Sequence, residues 1–571
     1  MRGRGRSGTK GPSGAAPGHG QIGQVAGSGS RYRSLATLSA MVTTLDMVII
    51  VASLVVVLTI GLWFARRWKS SDEFFLAGRS VTWPFIGFSL FATNISSEHF
   101  VGLASAGHNL GLVEGGYEWM ASYCLLMLAA VFAPQYLKHK VFTIPEFFEK
   151  RYGPEARIGL SAYFLVMIVL TKTAVATYAG SIVIQEFTGW NLNAICWGIG
   201  IFTAAYTMAG GLAAVIYTDF IQAIILIIGS AVLTLVALLE VGGWTGLVQK
   251  LETAGRLDLL SMVRSPTDAS GRPFSGFLLG NFLIGGMFYW CMDQVNVQRV
   301  LGAKSVAHAR GGAILAGFLK IIPVFIMVLP GVIAFVLYPE IQDNHNATYG
   351  ILIRNLMPSG LRGIVLAALL AALMSSLSST FNSASTLVAR DFLLRFRPGA
   401  SLKSQVVAGE IGLVAVMVAG ILCAPLVGRM QTIWEYLQQV SQYLSVPFAV
   451  AGLLGVFTRR VNRYGVMAGV VVGIGVGLFF FLESTLAWNL VTSPYLASFL
   501  HRTFVSAVLT AGAMVAVSLV TPPPPRDVLD GAYYFFSRSE DLSDRGGGLK
   551  DWRLWWWLLF AIVTALWFQF W

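Results

Sequence analysis

Apolar runs of about twenty residues recur from Thr44 to Trp571, with short polar gaps between them. A run of that length is what an α-helix needs to cross the hydrocarbon of a bilayer, where every backbone amide and carbonyl must find its partner within the protein. A membrane β-barrel would instead need stretches of about ten residues with alternating polarity, and the chain has none. Of 571 residues only 12% are charged, against about 25% in a soluble protein. The chain therefore reads as an all-α polytopic membrane protein. Fourteen spans are expected, at 44–65, 83–106, 115–137, 156–186, 190–209, 213–240, 276–298, 310–338, 362–389, 405–425, 431–458, 464–484, 500–521 and 551–571.

The net charge of +12 does not point to a nucleic acid, because the basic residues punctuate the gaps between spans. Loops after odd-numbered spans hold 24 Lys and Arg, and loops after even-numbered spans hold 8. Basic loops stay in the cytoplasm, so both termini are expected outside a cell membrane (plasma or bacterial inner). Residues 1–40 are rich in Gly, Ser and Arg and read as a disordered tail. Their basic residues break the charge rule, which points to translation starting at Met41. The four cysteines lie scattered in apolar segments, with neither metal-ligand spacing nor a disulfide pattern.

Three groups of polar residues fall inside spans. The first is FATNISSEHFVG, Phe91 to Gly102. Its Asn and Ser side chains compete with helical backbone bonds, and a helix broken there would free carbonyl oxygens at mid-membrane, where several transporter folds bind ions. The plainer reading is a polar kink satisfied by neighbouring helices. The second lies in AALLAALMSSLSSTFNSAST, where Ala372, Ser375, Ser376, Ser379 and Ser383 share one helix face. Small residues also suit helix packing, but Ala or Gly would serve that purpose. Sodium, a hard cation like calcium, wants oxygen ligands. The third comprises Glu118, Lys320 and Gln438 in apolar runs, with Tyr117, Trp119, Tyr289, Trp290 and Trp434 nearby in the pattern. Such groups supply hydrogen bonds and flat faces to a neutral polyhydroxyl solute. Lys172 is placed to snorkel or pair, and Asp219 reads as an ordinary interfacial acid. No metal motif, nucleophile elbow or phosphate loop is present, so no enzyme is expected.

These residues sit in stretches that resemble the solute:sodium symporter family, in particular its sodium/glucose cotransporter branch. DEFFLAGRS, FATNISSEHF, GGYEWM, FTIPEFFEKRYG, AGGLAAVIYTDFIQ, FYWCMDQVNVQRVLGAKS, FLKIIPVFIMVLPG and SSLSSTFNSASTLVARDF follow one another in family order from about Asp72 to Arg463. The resemblance implies a LeuT-type core of two inverted five-helix repeats at 83–240 and 276–458. The helix at 44–65 is then an addition, and those in 464–571 are peripheral.

The resemblance also implies roles. Sodium would take the carbonyls of Ala92, Ile95 and Ala372 and the hydroxyls of Ser375 and Ser376. A second sodium site, found in some members, would take Asp219, Ser96, Ser378 and Ser379. His99, Glu118, Lys320, Gln438, Tyr289 and Trp290 would bind the sugar. Tyr289 would be the inner gate, and Leu103, Tyr117 and Trp434 the outer gate. The implied function is sodium-driven import of a glucose- or galactose-like monosaccharide by alternating access. Alternatives are sodium-coupled uptake of myo-inositol or another polyol, and a solute sensor that does not transport. Ala121 and Gly286 depart from the pattern, standing where a bacterial galactose symporter has polar sugar contacts. The partners implied are sodium, a small sugar and the lipid bilayer, with no nucleic acid.

Overall fold

The computed structural model describes residues 42–64, 69–268, 270–339, 341, 347–428, 433–486, 488, 490–530 and 548–571. The tail expected to be disordered, 1–40, lies outside them. Nearly all of the described chain is helical. In order the long elements are α1 (Thr44–Phe64), α2 (Trp83–Asn94), α3 (Ser97–Leu110), α4 (Leu112–Lys138) and α5 (Pro154–Thr188). Then come α6 (Leu192–Val241), α7 (Phe274–Cys291), α8 (Gln294–Leu301), α9 (Val306–Leu337) and α10 (Leu361–Phe396). The chain closes with α11 (Leu402–Val427), α12 (Ile433–Phe457), α13 (Arg463–Thr485), α14 (Phe499–Val520) and α15 (Trp552–Gln569).

Among the described residues, 11 helices are long and apolar enough to cross a membrane. Three differences separate this from the fourteen expected spans. The expected span 83–106 is two short helices, α2 and α3, neither long enough alone. The spans at 190–209 and 213–240 run together as α6, which breaks sharply at Gly211 with φ +58° and ψ −153°. Only glycine is at ease there, and a Cβ at this position would lie 2.4 Å from the Phe74 carbonyl oxygen. The span at 551–571 is α15, whose four Trp in the first six residues, with Arg553 among them, dilute its apolar character.

α10 is the centre of the molecule. Almost every residue from Arg362 to Leu387 is buried, and α6, α11, α1 and α2 pack around it. Its small residues permit this: Ala, Ser and Gly let neighbouring backbones approach closely. α1 is the opposite case, burying only Asp46, Ile50, Val57 and Gly61 along one stripe. Asp46 is fully buried. Its Oδ1 accepts the amides of Gly360 (2.7 Å) and Gly363 (2.8 Å), and its Oδ2 accepts the Thr43 amide (3.0 Å) and hydroxyl (2.8 Å). Gly360 begins α10 without a side-chain cap, so a carboxylate from another helix satisfies the amides exposed at that terminus.

Candidate functional site

The polar block that interrupts the second apolar run does break a helix. Ile95 (φ −78°, ψ 113°) and Ser96 (φ −127°, ψ −178°) are extended between α2 and α3. Ser97 turns its hydroxyl to the Ala176 carbonyl at 2.6 Å, outside its own helix, and the Ser96 amide donates to His99 Nδ1 at 3.4 Å. The freed carbonyls face α10. Ser375 Oγ lies 2.9 Å from both the Ala92 and Ala372 carbonyls, and Ser376 Oγ lies 3.1 Å from the Thr93 carbonyl and 3.3 Å from that of Ile95. Three main-chain oxygens and two hydroxyls named from the sequence therefore converge in the buried core. This is a neutral, all-oxygen donor set of the kind that suits a hard monovalent cation.

One turn further along α10 is a second polar cluster. Asp219, fully buried on α6, accepts from Ser89 (2.6 Å), Thr93 (3.4 Å) and Ser379 (3.4 Å), with Arg299 at 4.0 Å. It is not an interfacial acid. Of its expected companions the structure brings Ser379 to it, and Ser89 and Thr93 join them. Ser378 instead turns to the Ser375 carbonyl at 3.0 Å, and Ser96 makes no hydrogen bond to Asp219. Those two lie where helical geometry points them elsewhere: Ser378 is about 100° round α10 from Ser379, and Ser96 is on the far side of the α2–α3 break.

Beside the break is a cavity walled by α2, α3, α4, α5, α7, α9 and α12. His99, Glu118, Lys320, Gln438, Tyr289, Trp290, Tyr117 and Trp434 all line it. Lys320, fully buried, donates to Glu118 Oε2 and to Asn94 Oδ1. Glu118 Oε1 lies 3.7 Å from His99 Nε2, and Asn94 Nδ2 donates to the Tyr289 hydroxyl at 3.0 Å. Lys320 Nζ also sits 5.5 Å from the centre of the Trp290 ring. Trp434 meets His99 and Tyr117 edge-on, at 5.2 and 5.9 Å between ring centres. Leu103 does not share this wall; it is wholly buried in the apolar core on α3.

Several cavity residues were not assigned from the sequence. Asn94 links Lys320 to Tyr289, and it lay in the polar block already singled out. Of the two expectations for Lys172, snorkelling or pairing, the structure shows pairing: it meets Asp293 at 2.9 Å and sits 4.9 Å over the Tyr289 ring. Asp293 itself lies in a second break, Met292–Asp293, between α7 and α8. Glu98, Asn281 and Gln442 also line the cavity. Both departures from the family pattern, Ala121 and Gly286, are on its wall. A Cβ at Gly286 would approach Cys124 Sγ to 3.0 Å, so the missing side chain leaves no room to restore without movement. Two π-helical stretches, Ile168–Thr173 and Phe277–Gly286, contribute Lys172, Asn281 and Gly286. The widened turn of a π-helix redirects side chains and frequently marks functional sites.

Chemically, the cavity presents compensated charges, hydrogen-bonding groups and aromatic faces together. A neutral polyhydroxyl molecule can exchange hydrogen bonds with such a wall without carrying a charge out of water.

A model of the sodium:solute symporter family matches residues 74–473. The sodium/myo-inositol cotransporter of Canis lupus familiaris is 36% identical over 556 residues, covering 88% of this chain and 77% of its own. That of Homo sapiens is 37% identical over 544 residues, with 86% and 75% covered. Sodium/glucose cotransporter 1 of Ovis aries is 37% identical over 472 residues, 76% and 71% of the two chains. Among solved structures, a substrate-bound outward-open Na+-coupled sialic acid symporter matches with TM-score 0.73 at 22% identity, covering 84% of this chain and 99% of that one. Mhp1, a nucleobase-cation-symport-1 family transporter, matches with TM-score 0.54 at 14% identity, covering 81% and 99%.

Proposed function

The chain belongs to the sodium:solute symporter family, and we propose that it imports a glucose- or galactose-like monosaccharide together with sodium, with both termini outside the membrane. Its fold is of the LeuT type and it is a transporter rather than an enzyme. The two repeats run over 83–240 and 276–458; in support, each opens on a broken helix, α2/α3 and α7/α8.

One observation carries the substrate reading. Asn94, at the end of the broken helix, holds Lys320 and Tyr289 at once, two residues from Ala92, whose carbonyl meets Ser375. A sodium ion on Ala92, Ile95, Ala372, Ser375 and Ser376 would fix that backbone, and with it the side chain that organises the sugar wall. Ion and sugar then favour the same conformation, which is what coupling requires. Sugar binds among His99, Glu118, Lys320 and Gln438 against Tyr289 and Trp290, below Tyr117 and Trp434, and Tyr289 moves to release it inward. A second sodium at Asp219 and Ser379, with Ser89 and Thr93, would change the energetics greatly. One charge falling through 100 mV yields about 2.3 kcal/mol and a tenfold gradient about 1.4 kcal/mol, so one ion sustains roughly 500-fold accumulation and two on the order of 10⁵-fold.

A polyol such as myo-inositol is the second reading. It is favoured by the likeness to sodium/myo-inositol cotransporters, while Ala121 and Gly286, on the cavity wall, lack the polar contacts of the galactose pattern and weaken the case for galactose. Uptake of labelled glucose into proteoliposomes, under an inward sodium gradient and a potassium control, tests both. Galactose, xylose and myo-inositol compete in parallel. Sodium-dependent uptake that Ser376→Ala reduces at least tenfold is expected. No sodium-dependent flux of any of these solutes would refute the proposal, and binding without flux would identify a sensor.

A further inference from the structure

Glu114 stands apart from the site just described. It lies in the tight turn Leu112–Gly115 that opens α4, it is fully buried, and it does not line the cavity. Its two oxygens are divided. Oε1 accepts from Arg272 Nε at 2.6 Å, and Oε2 accepts from the Trp434 indole N–H at 3.0 Å. Arg272, 4% exposed, comes from the connection before α7, and its guanidinium lies 5.0 Å over the ring of Phe499 on α14. Trp434 does line the cavity, in the first turn of α12. It rests flush on α3, since a Cβ at Gly102 would fall 2.9 Å from the Trp434 Cβ.

We propose that Glu114, oriented by Arg272, is a positioning residue that latches Trp434 over the sugar cavity and so sets how readily that side opens. The proposal rests on the reading of Trp434 as a gate. α12 is built to move as an arm. Leu437, Gln438, Ser441, Gln442 and Ser445 line the cavity down one face of it, and Pro447 interrupts its hydrogen-bond ladder just below. For the arm to swing away, the indole N–H must leave Glu114. A hydrogen bond to an ionised acceptor in a dry site is among the stronger ones, and breaking it strands half of a buried carboxylate. The latch lies outside the cavity, so it alters the balance between closed and open without touching the solute.

The test places one reporter in the cavity, Ser441→Cys, in the full chain carrying Cys423→Ser; the other three cysteines are buried. A membrane-impermeant thiol reagent is applied from the side of the Arg272 connection, with sodium present, with and without excess glucose or myo-inositol. Trp434→Phe keeps an aromatic ring, though a smaller one, and removes the donor, and is expected to raise the modification rate about tenfold, the loss of one charge-assisted hydrogen bond. Glu114→Gln keeps an acceptor and removes the charge, and is expected to raise the rate several-fold. The double variant should react no faster than Trp434→Phe alone. A Glu114 that merely braced the fold would lower the yield of folded protein and would act equally in the Trp434→Phe background. Unchanged rates in variants whose reporter is still protected by solute overturn the latch. A reporter that neither solute protects overturns the cavity reading, and the latch with it.

Discussion

Replacing Lys320 by Met should separate what holds the cavity together from what binds solute. Lys320 is fully exclosed from solvent at 0% exposure, and its partner Glu118 is 3% exposed. Lys320→Met preserves most of the apolar stem and deletes the charge. Among the described residues Glu118 then keeps His99, 3.7 Å away, and Asn94 loses the donor that orients it towards Tyr289. Removing one partner of a buried pair destabilises by about 3–5 kcal/mol, whereas replacing both by neutral groups of similar shape is close to neutral. The double variant Glu118→Gln/Lys320→Met should therefore recover most of the loss. Thermal unfolding of the purified protein in detergent measures stability, and sodium-driven uptake of glucose or myo-inositol measures function. The expected order of midpoints is native chain, then double variant, then Lys320→Met well below. Both variants should lose uptake, since the donor and acceptor offered to a solute hydroxyl are altered in each. A Lys320→Met protein as stable as the double variant would refute the reasoning, because Glu118 would then not depend on Lys320 for its charge compensation.

Two further outcomes are expected. Asp46→Asn cannot accept at both ends: whichever way the amide turns, its NH2 meets an N–H of Thr43 or of Gly360 and Gly363. Stability should fall by about 1–3 kcal/mol, read as a lower unfolding midpoint in detergent, and an unchanged midpoint would show that the α10 terminus is capped by something else. Gly211→Ala forces a Cβ onto the Phe74 carbonyl, 2.4 Å away, at a backbone angle only glycine adopts readily. The yield of monodisperse protein on size exclusion should drop several-fold, and a normal yield would mean that α6 can rebuild its bend.

The features legible in the sequence were those expressed locally. A polar block inside an apolar run marked the break between α2 and α3, because hydrocarbon tolerates Asn, Ser, Glu and His only at such places. The hydroxyl face of α10 was likewise visible as a helical spacing. Partnerships across long separations were not. Nothing near Lys172 identifies Asp293, 121 residues on, and nothing near Glu114 identifies Arg272, 158 residues on. The second break, at Met292–Asp293, hid in an apolar run with a single acid. Asp219 read as interfacial because three of its partners, Ser89, Thr93 and Ser379, come from other helices. Leu103 is one helix position from Gly102, which Trp434 covers, and that rotation of about 100° takes it off the cavity wall. The span count differed where a helix was broken, bent at a glycine or rich in tryptophan, three cases that a hydropathy window treats alike.

The Asp46 carboxylate has a consequence for how the chain is made. It belongs to α1, yet the amides it serves are 314 and 317 residues further along. Until the start of α10 is made, this acid has Thr43 beside it but neither of those amides. The Asp46 end of α1 is thus locked only once α10 is in place, although α1 also packs on α6, which is made earlier. A chain truncated anywhere before Gly360 keeps the Thr43 bonds to this acid but lacks both amides that fill its other oxygen.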